Sequence, residues 1–141
     1  MAALVRMRRH VLLALLLAAI AIAGCSLGGD TANGGLGGTS WTAVTLDGQP
    51  TLAQARPTIR FTVDGTVSGT TGCNQFSGPF RTDGGTIVVG ELAATKIGCD
   101  GERGDQEHAF LAALGGARAW NLTATGDLEI EGGGRITLRP G

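Results

Sequence analysis

The chain has 141 residues, a length for one domain, and its 25 glycines with only 16% charged residues suit short strands and tight turns better than a helical bundle. Three of its 11 basic residues, Arg6, Arg8 and Arg9, sit in an amino-terminal leader, and without that leader eight basic residues face 12 acidic ones. A net charge of about −4 has no attraction for phosphate backbones, which excludes nucleic acid as a partner.

The leader comes first. Its three arginines precede an unbroken apolar run from Val11 to Ala23. A helix of that length would cover only about 20 Å, short of a bilayer core. Basic flank, short apolar run and small residues at its end read as a secretory signal peptide over residues 1–24. The ending is more specific: Ile22-Ala23-Gly24-Cys25 resembles the lipobox of bacterial lipoproteins. There the cysteine thiol takes a diacylglyceryl group and becomes the new first residue. One acyl chain holds a protein only marginally, whereas two or three on one residue hold it stably. Cys25 is therefore the expected lipidation site, and the membrane the first expected partner. Ser26 to Gly38 is glycine-rich with no strong structure former, so residues 25–38 read as a lipidated cysteine and flexible tether.

Residues 39–141 are enough for one modest core. Trp41–Leu46 reads as a first strand, ended by Asp47-Gly48. Thr58–Val63 alternates, placing Ile59, Phe61 and Val63 on one face. Asp64-Gly65 is a hairpin signal, with Thr66–Thr70 returning. Phe80–Thr82 and Thr86–Val89 flank a second turn at Asp83-Gly84-Gly85, and Leu92–Ile97 leads to Cys99. One stretch, Asp105–Leu114, reads as helix, with acids at its start, Phe110 and Leu114 four apart, and Gly115-Gly116 as a stop. Ala119–Thr123, Leu128–Ile130 and Arg135–Leu138 complete the strands. The fold class is thus mainly β (a β-rich α+β domain): an antiparallel curved sheet or small barrel with one helix packed against it.

Trp41, then Gly72-Cys73-Asn74-x-Phe76-x-Gly78, then Thr95-x-x-x-Cys99, then Glu107-x-x-Phe110-x-x-x-Leu114 together resemble the META (HslJ-like) domain family. The likeness covers Thr39 to Leu138. It departs mildly at Phe80, where the family commonly has Tyr, and at Ile97-Gly98 in place of a Met-Ala pair. The resemblance implies a β-rich domain with one helix and no established enzymatic activity.

The residues that could carry chemistry are few. With Cys25 assigned to lipid, Cys73 and Cys99 remain as a pair in an oxidising setting, and a structural disulfide is the natural reading. Free thiols, a redox pair or half a metal site are the rivals. Zinc would lack ligands, because no CxxC spacing exists and His108 is the only histidine beyond the leader. Gly72, Asn74 and Gly78 could line a ligand site, but a tight turn beside a disulfide asks for the same residues. The acidic run from Asp100 to Glu107 fails the calcium-loop template, since Gly104 falls fifth and not sixth. It reads as the acidic start of a helix. No catalytic set, metal or cofactor is expected.

These observations lead to a non-catalytic interaction or stress-related module of the bacterial envelope. It would be lipid-anchored on the outer side of the cytoplasmic membrane, or on the outer membrane if the host has one, with an unidentified envelope protein as partner. The alternative is a carrier or sensor holding a small apolar ligand within the curved sheet. A hydrolase or inhibitor is a third class. An apolar cavity would mark the carrier, a cleft converging on His108 or paired acids the enzyme.

Overall fold

The computed structural model describes residues 35–141. The expected signal peptide, Cys25 and the expected tether up to residue 34 lie outside the described residues. Within them the chain forms β1 (Thr39–Leu46), β2 (Gln49–Pro50), β3 (Thr58–Phe61), β4 (Thr66–Thr70), β5 (Gln75–Asp83), β6 (Thr86–Val89), β7 (Ala93–Ala94), α1 (Glu102–Gly115), β8 (Ala119–Leu122), β9 (Leu128–Glu131) and β10 (Arg135–Pro140).

Eight of the strands close a barrel. The order β1-β3-β4-β5-β6-β8-β9-β10 returns to β1, all pairs antiparallel. Closure removes the sheet edges that an open sheet of this size would expose. β2 extends β1 beyond the β3 pairing, and β7 continues the line of β6 beside the upper part of β5. The seam between β6 and β8 is thin: one paired position, Thr86 with Ala119, flanked by backbone bonds from Ile87 to Arg118 and from Trp120 to Gly85.

The interior follows from alternation. Ile59 and Phe61 on β3, Ile87 and Val89 on β6, Leu128 and Ile130 on β9, and Ile136 and Leu138 on β10 all point inward and are buried. Phe61 and Phe80 meet edge to face, ring centroids 4.8 Å apart. The helix contributes Phe110, Ala113 and Leu114 to the same core. Its Phe110 ring lies 5.5 Å from that of Phe76 on β5, which seats the helix against one end of the barrel.

Four expectations need correction. The strand from Thr58 stops at Phe61, because Thr62 turns the chain through bonds to Thr66 and Asp64; Val63 is 77% exposed and not on the inner face. The strand from Leu92 shrinks to Ala93–Ala94, for a reason that lies in Asn74 and is given below. The last four residues of the expected tether, Gly35–Gly38, form a turn that belongs to the domain. Leu36 within it is fully buried in the core, and Gly38 N–H donates to the Phe61 carbonyl. A single leucine among glycines gives no periodicity, so the sequence does not reveal this plug. The helix is also longer than expected, starting at Glu102 and ending at Gly115.

The register sorts the loops into two ends. Thr39 pairs with Phe61 and Trp41 with Pro140, so the start of β1, the β3–β4, β5–β6 and β8–β9 hairpins and the carboxyl terminus share one end. The β4–β5 turn with Cys73 and α1 occupy the other. The chain thus enters the domain at the end opposite the helix.

Candidate functional site

Seven of the eight site residues singled out in the domain's sequence meet at the helix end or lie directly beneath it. The β4–β5 turn brings Gly72, Cys73 and Asn74, the segment after β7 brings Thr95 and Cys99, and the second turn of α1 brings Glu107. Cys73 and Cys99 form a disulfide with Cα atoms 6.4 Å apart, within the ordinary span of such a bridge.

Asn74 is the centre. Its side chain is 2% exposed, and each of its polar capacities is used. Oδ1 accepts from Thr95 Oγ1 and from Ile97 N–H, both at 2.8 Å. Nδ2 donates to the Ile97 carbonyl at 3.1 Å and to the Glu107 carboxylate at 3.0 Å. A primary amide offers two donors and two lone pairs, so none is left for a ligand. The amide also takes the place of a neighbouring strand for Ile97, pairing with its N–H and C=O together. That is why β7 ends early.

Thr71, fully buried, completes the knot. Its hydroxyl donates to Glu107 Oε2 and accepts from the N–H groups of Asn74 at 2.8 Å and Cys73 at 3.2 Å. Burial of the Glu107 carboxyl raises its pKa, but the bonds from Thr71 and then Asn74 outweigh this and hold it below its ordinary value. The group is an anion at neutral pH.

Gly72 and Gly78 have steric reasons. At Gly72 φ is 92°, and a Cβ there would stand 2.0 Å from the Ala55 carbonyl oxygen. At Gly78 a Cβ would meet the Glu91 carbonyl at 2.6 Å, where the chain bulges between β6 and β7. Gly78 thus lies apart from the knot, and Phe76 sits directly beneath it as the ring on which Phe110 rests. Cys25 lies outside the described residues.

Two contributors were not singled out in the sequence. Gln106 donates to the Ala55 carbonyl and accepts from Leu52 N–H, both at 2.7 Å, tying the loop after β2 to the helix. Thr71 is the other. A signal existed for each: Thr71 opens the turn, and Gln106 precedes the motif glutamate. His108, by contrast, is exposed on the helix, and Ser40 and Ser77 are exposed on separate strands.

The barrel interior holds side chains. Hollows lie on the outer surface: one of about 600 Å³ between the β6–β7 bulge and α1, lined by Val89, Leu92 and Leu111, and one of about 380 Å³ between the β1–β2 turn and the start of α1. Chemically the knot is a clamp: it fixes three chain segments to one another and spends the Asn74 amide in doing so.

The META domain family model matches residues 34–139. An NMR structure of a protein from Burkholderia xenovorans superposes with a TM-score of 0.60 at 23% identity, over 75% of this chain and 83% of that one. A second NMR structure gives 0.59 at 23% identity, over 72% and 88%. Both likenesses concern the fold. No curated protein matches the chain.

Proposed function

We propose, for a chain that belongs to the META domain family, a lipid-anchored, non-catalytic interaction module of the bacterial envelope. The observation that carries the reading is the division of the barrel into two ends. The chain that leads back to Cys25 enters at the hairpin end, so an acyl anchor on that residue would turn the helix end away from the bilayer. The surface presented outward is then the one bearing α1 and the half-apolar groove beside Leu92 and Leu111.

The filled interior supports this reading against a carrier. Phe61, Ile87, Leu128, Ile130, Ile136 and Leu138 are fully buried within the barrel, and an apolar ligand would have to displace them. Exposure of His108, away from any acid–nucleophile set, supports it against a hydrolase.

The test has two parts. Cys25→Ala is expected to release the protein from membrane pellets. The wild-type chain, purified from detergent-solubilised envelopes, is expected to bring one protein with it. Retention of Cys25→Ala in the membrane would refute the anchor. Recovery of lipid or glycan with no protein would refute the interaction role and favour the carrier.

A further inference from the structure

We propose that the corner formed by Cys73, Cys99 and Glu107 is a divalent-metal site in its dithiol state, taking a cation of the zinc class that competes with the disulfide for the same two sulfurs. A count of cysteine and histidine in the domain finds Cys73, Cys99 and His108, of which the two cysteines meet. The fold supplies the third, because the helix places a carboxylate beside the sulfurs: both Sγ atoms and the Glu107 carboxylate lie within 4.8 Å of one another.

The geometry suits the chemistry. With metal–sulfur bonds of about 2.3 Å and metal–oxygen bonds of about 2.0–2.2 Å, neighbouring donors of a tetrahedral site stand roughly 3.5–3.8 Å apart. Donors already gathered on one corner need only small movements to reach that spacing. Both cysteines are half-buried, so an ion has a path to them. Asn74 Nδ2 lies 3.6 Å from Cys73 Sγ and 3.9 Å from Cys99 Sγ and holds the Ile97 carbonyl, so it closes that side of the corner, and water completes the fourth position from the other.

The surroundings suit a ligand carboxylate as well. Thr71 and Asn74 bond Glu107 and fix its orientation, the role outer-shell partners play around metal sites. Among the described residues the ion pair present is Arg135 with Glu131, and no lysine or arginine neutralises Glu107. Two thiolates and a carboxylate repel one another, and a divalent cation removes that repulsion.

The steps balance. A dithiol reductant breaks the Cys73–Cys99 bond and is itself oxidised to its disulfide, leaving two thiols on the chain. The cation then displaces both thiol protons to solvent, forming two metal–sulfur bonds and one to the Glu107 oxygen, with no change in its charge. In the reverse direction a disulfide oxidant takes two electrons from the two thiolates, is itself reduced to its dithiol, and the re-formed Cys73–Cys99 bond releases the cation.

Co²⁺ is the probe. The full chain in detergent is reduced with a phosphine, kept free of oxygen and titrated while thiolate-to-cobalt charge-transfer and tetrahedral d–d absorption are followed. One equivalent of Co²⁺ is expected to bind, with two protons released and Zn²⁺ displacing it, whereas the oxidised chain gives no bands. Glu107→Gln is expected to weaken binding by roughly 10–100-fold or more, the scale set by losing even an outer partner, and Cys73→Ser to abolish the charge-transfer band. Far-UV circular dichroism on each sample reports the barrel. Absence of the bands in a reduced chain that keeps its β signal overturns the proposal. So does Glu107→Gln binding as tightly as wild type, or a reduced chain that unfolds and does not refold with Co²⁺.

Discussion

Asn74→Ala tests whether the motif is a clamp. The substitution removes one bond to a carboxylate, at about 1.5–3 kcal/mol, and three neutral bonds at about 0.5–1.5 kcal/mol each. Thr95 and Ile97 are exposed, so water recovers part of the neutral contribution. Glu107 keeps its bond from Thr71 and does not become an orphaned buried charge. The expected loss is therefore about 3–4 kcal/mol, a large fraction of the ~5–15 kcal/mol that holds a domain of this size. Urea unfolding with the disulfide intact measures it. A double-mutant cycle with Glu107→Gln should give a coupling of at least about 1 kcal/mol, since the two side chains bond directly. A loss below about 1 kcal/mol, or additive effects, would refute the reasoning and reopen Asn74 as a ligand-binding residue.

Other outcomes follow from the same geometry. Gly72→Ala should cost about 3 kcal/mol or more, because it meets the Ala55 carbonyl and a positive φ together. Gly84→Ala, also at positive φ but in open space, should cost only about 1–2 kcal/mol, and chemical denaturation of the pair separates the clash from the backbone term. Replacing Cys73 and Cys99 by serine opens a loop with a sequence separation of 26 and should lower stability by about 3.5 kcal/mol, read as a drop in the thermal midpoint. The Glu107 carboxyl is held below its ordinary value when folded, so its contribution is complete above the unfolded carboxylate pKa and is lost as pH falls through the folded one. Urea midpoints of wild type and Glu107→Gln should differ at pH 7 and converge in acid; parallel curves would contradict this.

The strands were legible because they carry period-two patterns with glycine turns between them. Ile59 and Phe61, Ile87 and Val89, and Ile136 and Leu138 all fall where alternation puts them. Alternation fails where a side chain replaces a strand: nothing in Leu92–Ile97 says that an amide from Asn74, 23 residues earlier than Ile97, ends the ladder. It fails also at Val63, where apolar spacing continues past the last ladder pair into a turn fixed by Thr62. Closure of the barrel is a relation between β1 and β10, nearly the whole domain apart, and no local pattern encodes it. The motif residues were legible as a set and not as a mechanism. Their spacing marks them, whereas the meeting of Glu107 with Asn74 and the cysteines exists only once α1 docks on Phe76.

The claim that the domain presents its helix end to a protein is best tested by photo-crosslinking from both ends in intact cells. A crosslinking residue replaces Glu91, exposed beside the helix groove, or Asp64, exposed on the hairpin end where the chain enters. One discrete protein adduct is expected from position 91, and lipid or no adduct from position 64. A protein adduct from 64 with none from 91 would contradict it.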